Sequence, residues 1–293
     1  PDLIQIVNWA KEHSADALLS YRSEFLANYF WPGVAHKYSI STYEEKLFVN
    51  KFSGEITPLN SLQELRNTAD YPGFGVLGMP RIYQGIVSKE LICRIVDKYG
   101  HLFGGVSPDI YSAALISYES KNSFVVDYPF VIPGGSAPST AGMGAARTDV
   151  SDLYKFDHIR RFGPQFRWDK RIPEFYSSTN VWAFSLLKAV EAINDDGLTL
   201  NFNRLYSHAW FLHSAYRSNV RSAMRAKCSN VADNLKFSAY VLHEGILQIK
   251  RVWRKLTRHQ TVFSGIHDIG AAYEALNSEI SRRKISINFD STR

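Results

Sequence analysis

The sequence predicts an α/β fold over its first half and a basic helical region after it. Three observations predict this. An amphipathic helix pattern passes straight into a short apolar run at the start, apolar runs and helical periodicity alternate again between residues 81 and 132, and after residue 200 helical spacing with clustered Lys and Arg replaces that alternation. Helices that alternate with strands pack their apolar faces on a sheet.

Asp2 to His13 sets Leu3, Ile6, Val7 and Ala10 on one helical face, and Ala15 to Tyr21 is a short buried strand. The aromatic turn Asn28-Tyr29-Phe30-Trp31-Pro32-Gly33 offers rings either for packing or for lining a cleft. Short strands are predicted at Lys37 to Ile40 and Lys46 to Phe52, with a turn at Gly54 and a helix from Ser61 to Thr68. Pro72 to Pro80 is a loop whose three glycines permit close approach to a ligand, in a spacing that is neither a P-loop nor a dinucleotide fingerprint. Arg81 to Val87 is a strand, Ser88 caps the helix Lys89 to Lys98, and Gly100 stops it.

Gly104-Gly105-Val106-Ser107-Pro108-Asp109 comes next, and it holds the best candidate site. Ser107 reads as N-cap, its hydroxyl satisfying an orphan N–H; Pro108 reads as N1 and Asp109 as N2 of a helix running to Glu119. Two readings of Asp109 stand side by side. A helix-start acid stabilises the end by about 0.3 to 1 kcal/mol through the dipole, and a carboxylate fixed beside an open loop can accept a proton from a positioned hydroxyl.

Phe124 to Ile132 is a strand that Pro129 demotes to an edge or a bulge. Pro133 to Gly144 reads as a mobile loop, Asp149 to Trp168 has no clear periodicity, and Asn180 to Asn194 is a helix. Phe202 to Ser229, Val231 to Leu256 and Ile266 to Arg282 read as three helices, the first two strongly basic. In the second, Leu242, Ile246, Ile249, Val252, Trp253 and Leu256 alternate with the bases, which suits an anionic membrane surface or packing with solvated charges.

Composition narrows the classes. With 293 residues and 45% hydrophobic content the chain can bury a sizeable core, and a net charge of +6 favours anionic partners. Cys93 and Cys228 stand in no disulfide or zinc spacing, so a reducing, cytoplasmic compartment is expected. No apolar run reaches the ~18 residues of a spanning helix. Among the histidines, His101, His158, His208, His213 and His243 form no metal-ligand motif; Ser136 and Ser139 lack the nucleophile-elbow pattern; and no nucleic-acid module is present, so nucleic acid is not an expected partner.

Ile82 to Leu91, Lys98-Tyr99-Gly100, Gly105 to Ser112 and Val126-Asp127-Tyr128-Pro129 together resemble the acceptor half of family 2 glycosyltransferases of the GT-A fold, of the kind found in bacterial surface-polysaccharide clusters. The resemblance covers roughly residues 1 to 140. It implies a GT-A type mixed sheet flanked by helices over residues 1–145, a connecting, acceptor-side segment over 146–196 and an α-helical C-terminal region over 197–293. It further implies an inverting hexosyltransferase that moves a sugar from a nucleotide-sugar to a glycan or lipid-linked acceptor, with Asp109 as general base. Ser-Pro-Asp stands where the family more often has Glu-Asp. Trp31, Phe74, Gly75, Gly104, Gly105 and Ser107 are the expected substrate-binding residues, and Gly134 to Gly144 the expected mobile cover. The Asp-x-Asp motif and the donor half are expected ahead of Pro1, so the Mg or Mn ion of the family finds its ligands mainly outside these residues, which are expected to be inactive alone. A peripheral position at the inner face of the membrane is expected. The competing expectation is a non-catalytic module that binds an anionic membrane or partner through the basic helices.

Overall fold

The apolar run after the first helix becomes an interior strand. In the computed structural model, which describes residues 2–21, 25–34, 43–146, 150–227, 230–257 and 260–290, the chain opens with α1 (Asp2–Glu12), β1 (Ala17–Leu19), β2 (Ala27–Phe30), β3 (Lys46–Val49), β4 (Ile56–Leu59) and α2 (Ser61–Asp70). It continues through β5 (Gly85–Val87), α3 (Lys89–Tyr99), α4 (Pro108–Glu119), β6 (Ser123–Val126), β7 (Gly134–Gly135), α5 (Thr140–Ala146) and α6 (Asp157–Arg160). The remainder is α7 (Ser178–Ile193), α8 (Phe202–Leu212), α9 (Arg217–Ala226), α10 (Val231–Thr257), β8 (Thr261–Ser264) and α11 (Ile269–Arg283). The predicted strand Lys37 to Ile40 lies outside the described residues.

The strands form two mixed sheets rather than the one expected. The first has the order β4-β6-β1-β5, with β1 parallel to β6 (Leu18 opposite Phe124) and antiparallel to β5 (Leu18 opposite Ile86). Side chains alternate across it. Ala17 joins a helical core with Leu91, Ile95, Ile110, Leu115 and Phe184, whereas Leu18, Phe124 and Val126 join a second core with Ile6, Trp9, Tyr29 and Leu276. Pro58 sits in the edge strand β4, where a missing N–H costs no ladder bond. Strand β6 ends at Val126 and lies between β4 and β1, so the expected strand reaching Ile132, an edge or bulged at Pro129, is corrected: Pro129 falls beyond the ladder.

The second sheet has the order β7-β2-β3-β8. It revises two expectations. The predicted mobile cover contains β7, parallel to β2, and the helix α5, and a Cβ on Gly134 or Gly142 would strike the carbonyl oxygen of Tyr29 or Ser136 at 2.3 or 2.0 Å. The predicted all-helical region 197–293 contributes β8, which pairs antiparallel with β3 (Phe263 opposite Leu47), and α11 covers the second core with Ala272 and Leu276. The first basic helix is broken into α8 and α9 by a turn of 3-10 helix at Ser214–Tyr216. Among the described residues no helix is long and apolar enough to cross a membrane.

Helix α4 is the central element of the first core. Every residue from Ile110 to Ser117 is buried, because α2, α3 and α7 surround it. A helix apolar all round belongs inside, and its N-terminus is therefore fixed from several sides.

Candidate functional site

The glycine approach to α4 is shaped by close packing on its neighbours. Gly105 has φ +64, and a Cβ there would lie 2.8 to 2.9 Å from Ser185 of α7; a Cβ on Gly104 would meet the ring of Tyr111 at 2.8 Å. Ser185 Oγ then accepts from the N–H groups of Val106 at 3.1 Å and Ser107 at 2.7 Å while donating to the Val181 carbonyl at 3.1 Å. The loop is bolted to α7 immediately before α4 begins.

Ser107 takes the N-cap position, Pro108 follows it, and Asp109 lies in the first turn. The expected cap bond is not made. Ser107 Oγ donates instead to Asp109 Oδ1, which ties the carboxylate down at the helix start. A hydroxyl bonded to a charged acceptor contributes more than one bonded to a neutral amide.

Among the described residues, Arg81 and His158 lie within electrostatic reach of Asp109. Arg81 is only 2% exposed; its Nη2 donates to the Leu77 carbonyl at 3.1 Å, and its guanidinium carbon stands 4.9 Å from the centre of the Tyr21 ring. Burial holds the Arg81 pKa below its ordinary value, and the charge of Asp109 works against that shift. Tyr21 donates in turn to Gln84 Oε1. His158 Nε2 donates to the Val106 carbonyl at 2.6 Å. Burial, then the Arg161 charge, lower the His158 pKa, while the Val106 carbonyl and Asp109 oppose them.

His158 also lines a cleft of about 710 Å³ with Lys155, Phe156, Asp157, Arg161 and Tyr176. Phe156 stacks on Tyr176 at 3.7 Å, giving the cleft a rigid aromatic wall between the charged groups. The segment is anchored behind by Asp169, which accepts from Arg171 Nη2 at 2.7 Å and Lys188 Nζ at 3.1 Å. Sequence reasoning missed Lys155 and Arg161 and placed His158 only among the histidines that form no metal-ligand motif. The one local signal was a cluster of bases within an aperiodic stretch.

The other expected substrate residues have contacts elsewhere. Trp31, 39% exposed, leaves the end of β2 against Tyr29, with its N–H on the Gly135 carbonyl at 3.1 Å. Phe74 packs on His208 of α8 at 4.2 Å, and Gly75 faces Trp182 of α7. A Cβ on Gly73 or Gly78 would strike Thr179 of α7 or Glu64 of α2, so the close approach those glycines permit is to helices. The structure thus brings Gly104, Gly105 and Ser107 to Asp109, and directs Trp31, Phe74 and Gly75 to other neighbours.

A divalent ion does not fit beside Asp109. Among the described residues no three His, Cys, Asp or Glu side chains are grouped to hold a metal, and Asp109 has the cationic Arg81 and the ring of His158 within electrostatic reach. No family model, curated protein or solved structure matches the chain.

Proposed function

We propose that this chain carries the acceptor-activating half of an inverting glycosyltransferase, with Asp109 as general base. The observation that supports it is a carboxylate anchored by Ser107 at the start of a wholly buried helix, within electrostatic reach of Arg81 and of the cleft residue His158. In the proposed reaction an acceptor hydroxyl oxygen attacks the anomeric carbon of a nucleotide-sugar. Its proton passes to Asp109, the new glycosidic bond forms, and the bond from the anomeric carbon to the diphosphate oxygen breaks. Attack and departure on opposite faces invert the anomeric centre. Lys155 and Arg161 give the cleft a cationic lining that suits an anionic leaving group.

Asp109→Asn in the full-length protein tests the assignment. Loss of a positioned general base lowers kcat by about 10²- to 10⁴-fold, and the affinity for nucleotide-sugar stays within about twofold because the base contributes mainly in the transition state. Turnover close to wild type would remove Asp109 from the mechanism.

A further inference from the structure

Helix α10 packs on the protein with one side and turns an apolar seam outward. On the inner side, Phe237 meets Trp210 edge-on at 5.8 Å, Tyr240 stands 4.5 Å from the Arg204 guanidinium, and Glu244, 3% exposed, lies 3.0 Å from His208 Nδ1. On the outer side Leu235, Ala239, Leu242, Ile246, Ile249 and Trp253 follow one another in steps of three and four, and all six are exposed. The five large ones are 51% to 75% exposed. This is the heptad spacing that a helix normally buries against a partner.

The charges beside the seam indicate which partner. Lys236, His243 and Lys250 run along one flank, and Val231, Ser238 and Gly245 along the other, with no acid on either. Both acids of α10 face the protein: Asp233 accepts from Asn203 Nδ2 at 3.0 Å, and Glu244 is buried. A second copy packed antiparallel would set Lys236 against Lys250, and a parallel one would give the lysines no acidic counterpart. Lipid phosphates complement the same lysines, while the seam enters the boundary with the acyl chains. The helix spans 27 residues, roughly 40 Å, enough to lie along a bilayer.

We propose that α10 docks the protein on an anionic lipid bilayer, lying in the interfacial plane with its Leu235 to Trp253 seam inward and Lys236 and Lys250 at the headgroups. This stands on α10 and is independent of the role of Asp109.

Sedimentation of the full chain with phosphatidylcholine vesicles, with and without phosphatidylglycerol, tests it across a salt series. Binding is expected on the anionic vesicles, weakening with salt. Lys236→Gln and Lys250→Gln are each expected to weaken it about fivefold. The double variant Leu242→Glu, Ile249→Glu is expected to weaken it by roughly tenfold or more, since two exposed apolar side chains no longer leave water, with the circular dichroism of the wild type retained. Trp253 emission is expected to shift to the blue on binding, and Trp253→Phe to remove that shift. Three outcomes overturn the proposal: no preference for anionic vesicles, binding that the Glu double variant leaves intact, or a dimer in sedimentation equilibrium that the double variant dissolves while vesicle binding is absent.

Discussion

At the scale of the residue, Asp109 and Ser107 separate what capping explains from what it leaves over. Pro108 at the first helical position needs no function, because its missing N–H is one no helix uses there. The Ser107 hydroxyl is different: it is directed to the Asp109 carboxylate rather than to a backbone N–H, an orientation that the Ser-Pro-Asp sequence does not dictate. Under the proposed reaction, Ser107→Ala lowers kcat about tenfold through a less well-placed base with little change in KM, and Ser107→Thr restores it; steady-state kinetics of the two variants reads this out. Glu279 is a second residue whose partners set its behaviour. Its carboxylate, 3% exposed, takes bonds from Arg282 and Arg283 at 2.8 Å and from Thr261 at 3.0 Å, and Arg282 first among them pulls its pKa from an ordinary 4.5 down to about 2. A depressed acid stabilises the fold above its unfolded value and loses that contribution as pH falls from about 4.5 toward 2. Urea denaturation of wild type across this window is expected to show a loss of about 2 kcal/mol, discounted for the exposure of Arg282, that Glu279→Gln does not share.

At the scale of the element, the helices with chain-local signals were legible and the long-range pairings were not. Ser88 and Gly100 bracket α3 in the sequence, and both act as caps in the structure, Ser88 accepting from the Leu91 N–H at 3.1 Å and Gly100 at φ +77. Strand β8 had no such signal. Thr261–Ser264 is a strand because β3, from the other part of the chain, offers it an edge, and a four-residue run cannot declare a partner so distant in sequence. The candidate cleft was illegible for a related reason: Lys155, His158 and Arg161 come from a stretch without periodicity, and long-range contacts bring them together near α4, through the Val106 carbonyl, the packing of Tyr176 and the buried Leu153 and Ile159. Gly104 and Gly105 are expected from the sequence to bind substrate, whereas the space beside Gly105 holds Ser185. Gly105→Ala therefore combines a left-handed backbone with a sub-3 Å contact, and a loss of about 2 to 4 kcal/mol is expected in chemical denaturation. Gly163, at φ +75 with open space beside it, is the control: Gly163→Ala carries the backbone cost alone, about 1 to 2 kcal/mol.

At the scale of the whole molecule, the candidate functions stand on different helices of the first core, α4 for one and α10 for the other. The first sheet and α4 position Asp109, with the helical core behind it, while α11 and β8 return the chain to the second sheet and the second core. The α/β character was legible from alternating apolar runs; the division into two sheets was not, since β7 is only two glycines long and pairs in parallel with β2, far earlier in the chain, through the N–H groups of Tyr29 and Trp31 on the Pro133 and Gly135 carbonyls. Helices α8 and α10 form a packed pair on the first core, α8 through Leu205, Tyr206 and Ala209 and α10 through Phe237, and the outward seam of α10 has no role in the proposed transfer reaction. Lipid docking and acceptor activation thus separate experimentally: the Leu242→Glu, Ile249→Glu pair is expected to weaken vesicle binding while a soluble acceptor is still glycosylated at the wild-type rate.

The proposed chemistry rests on one carboxylate, and the most direct measurement is single-turnover transfer by full-length Asp109→Asn beside wild type. A rate lower by about 10²- to 10⁴-fold with nucleotide-sugar binding preserved is the result predicted for a general base. Transfer at the wild-type rate would contradict it, and would leave Asp109 as a helix-start acid held by Ser107 and nothing more.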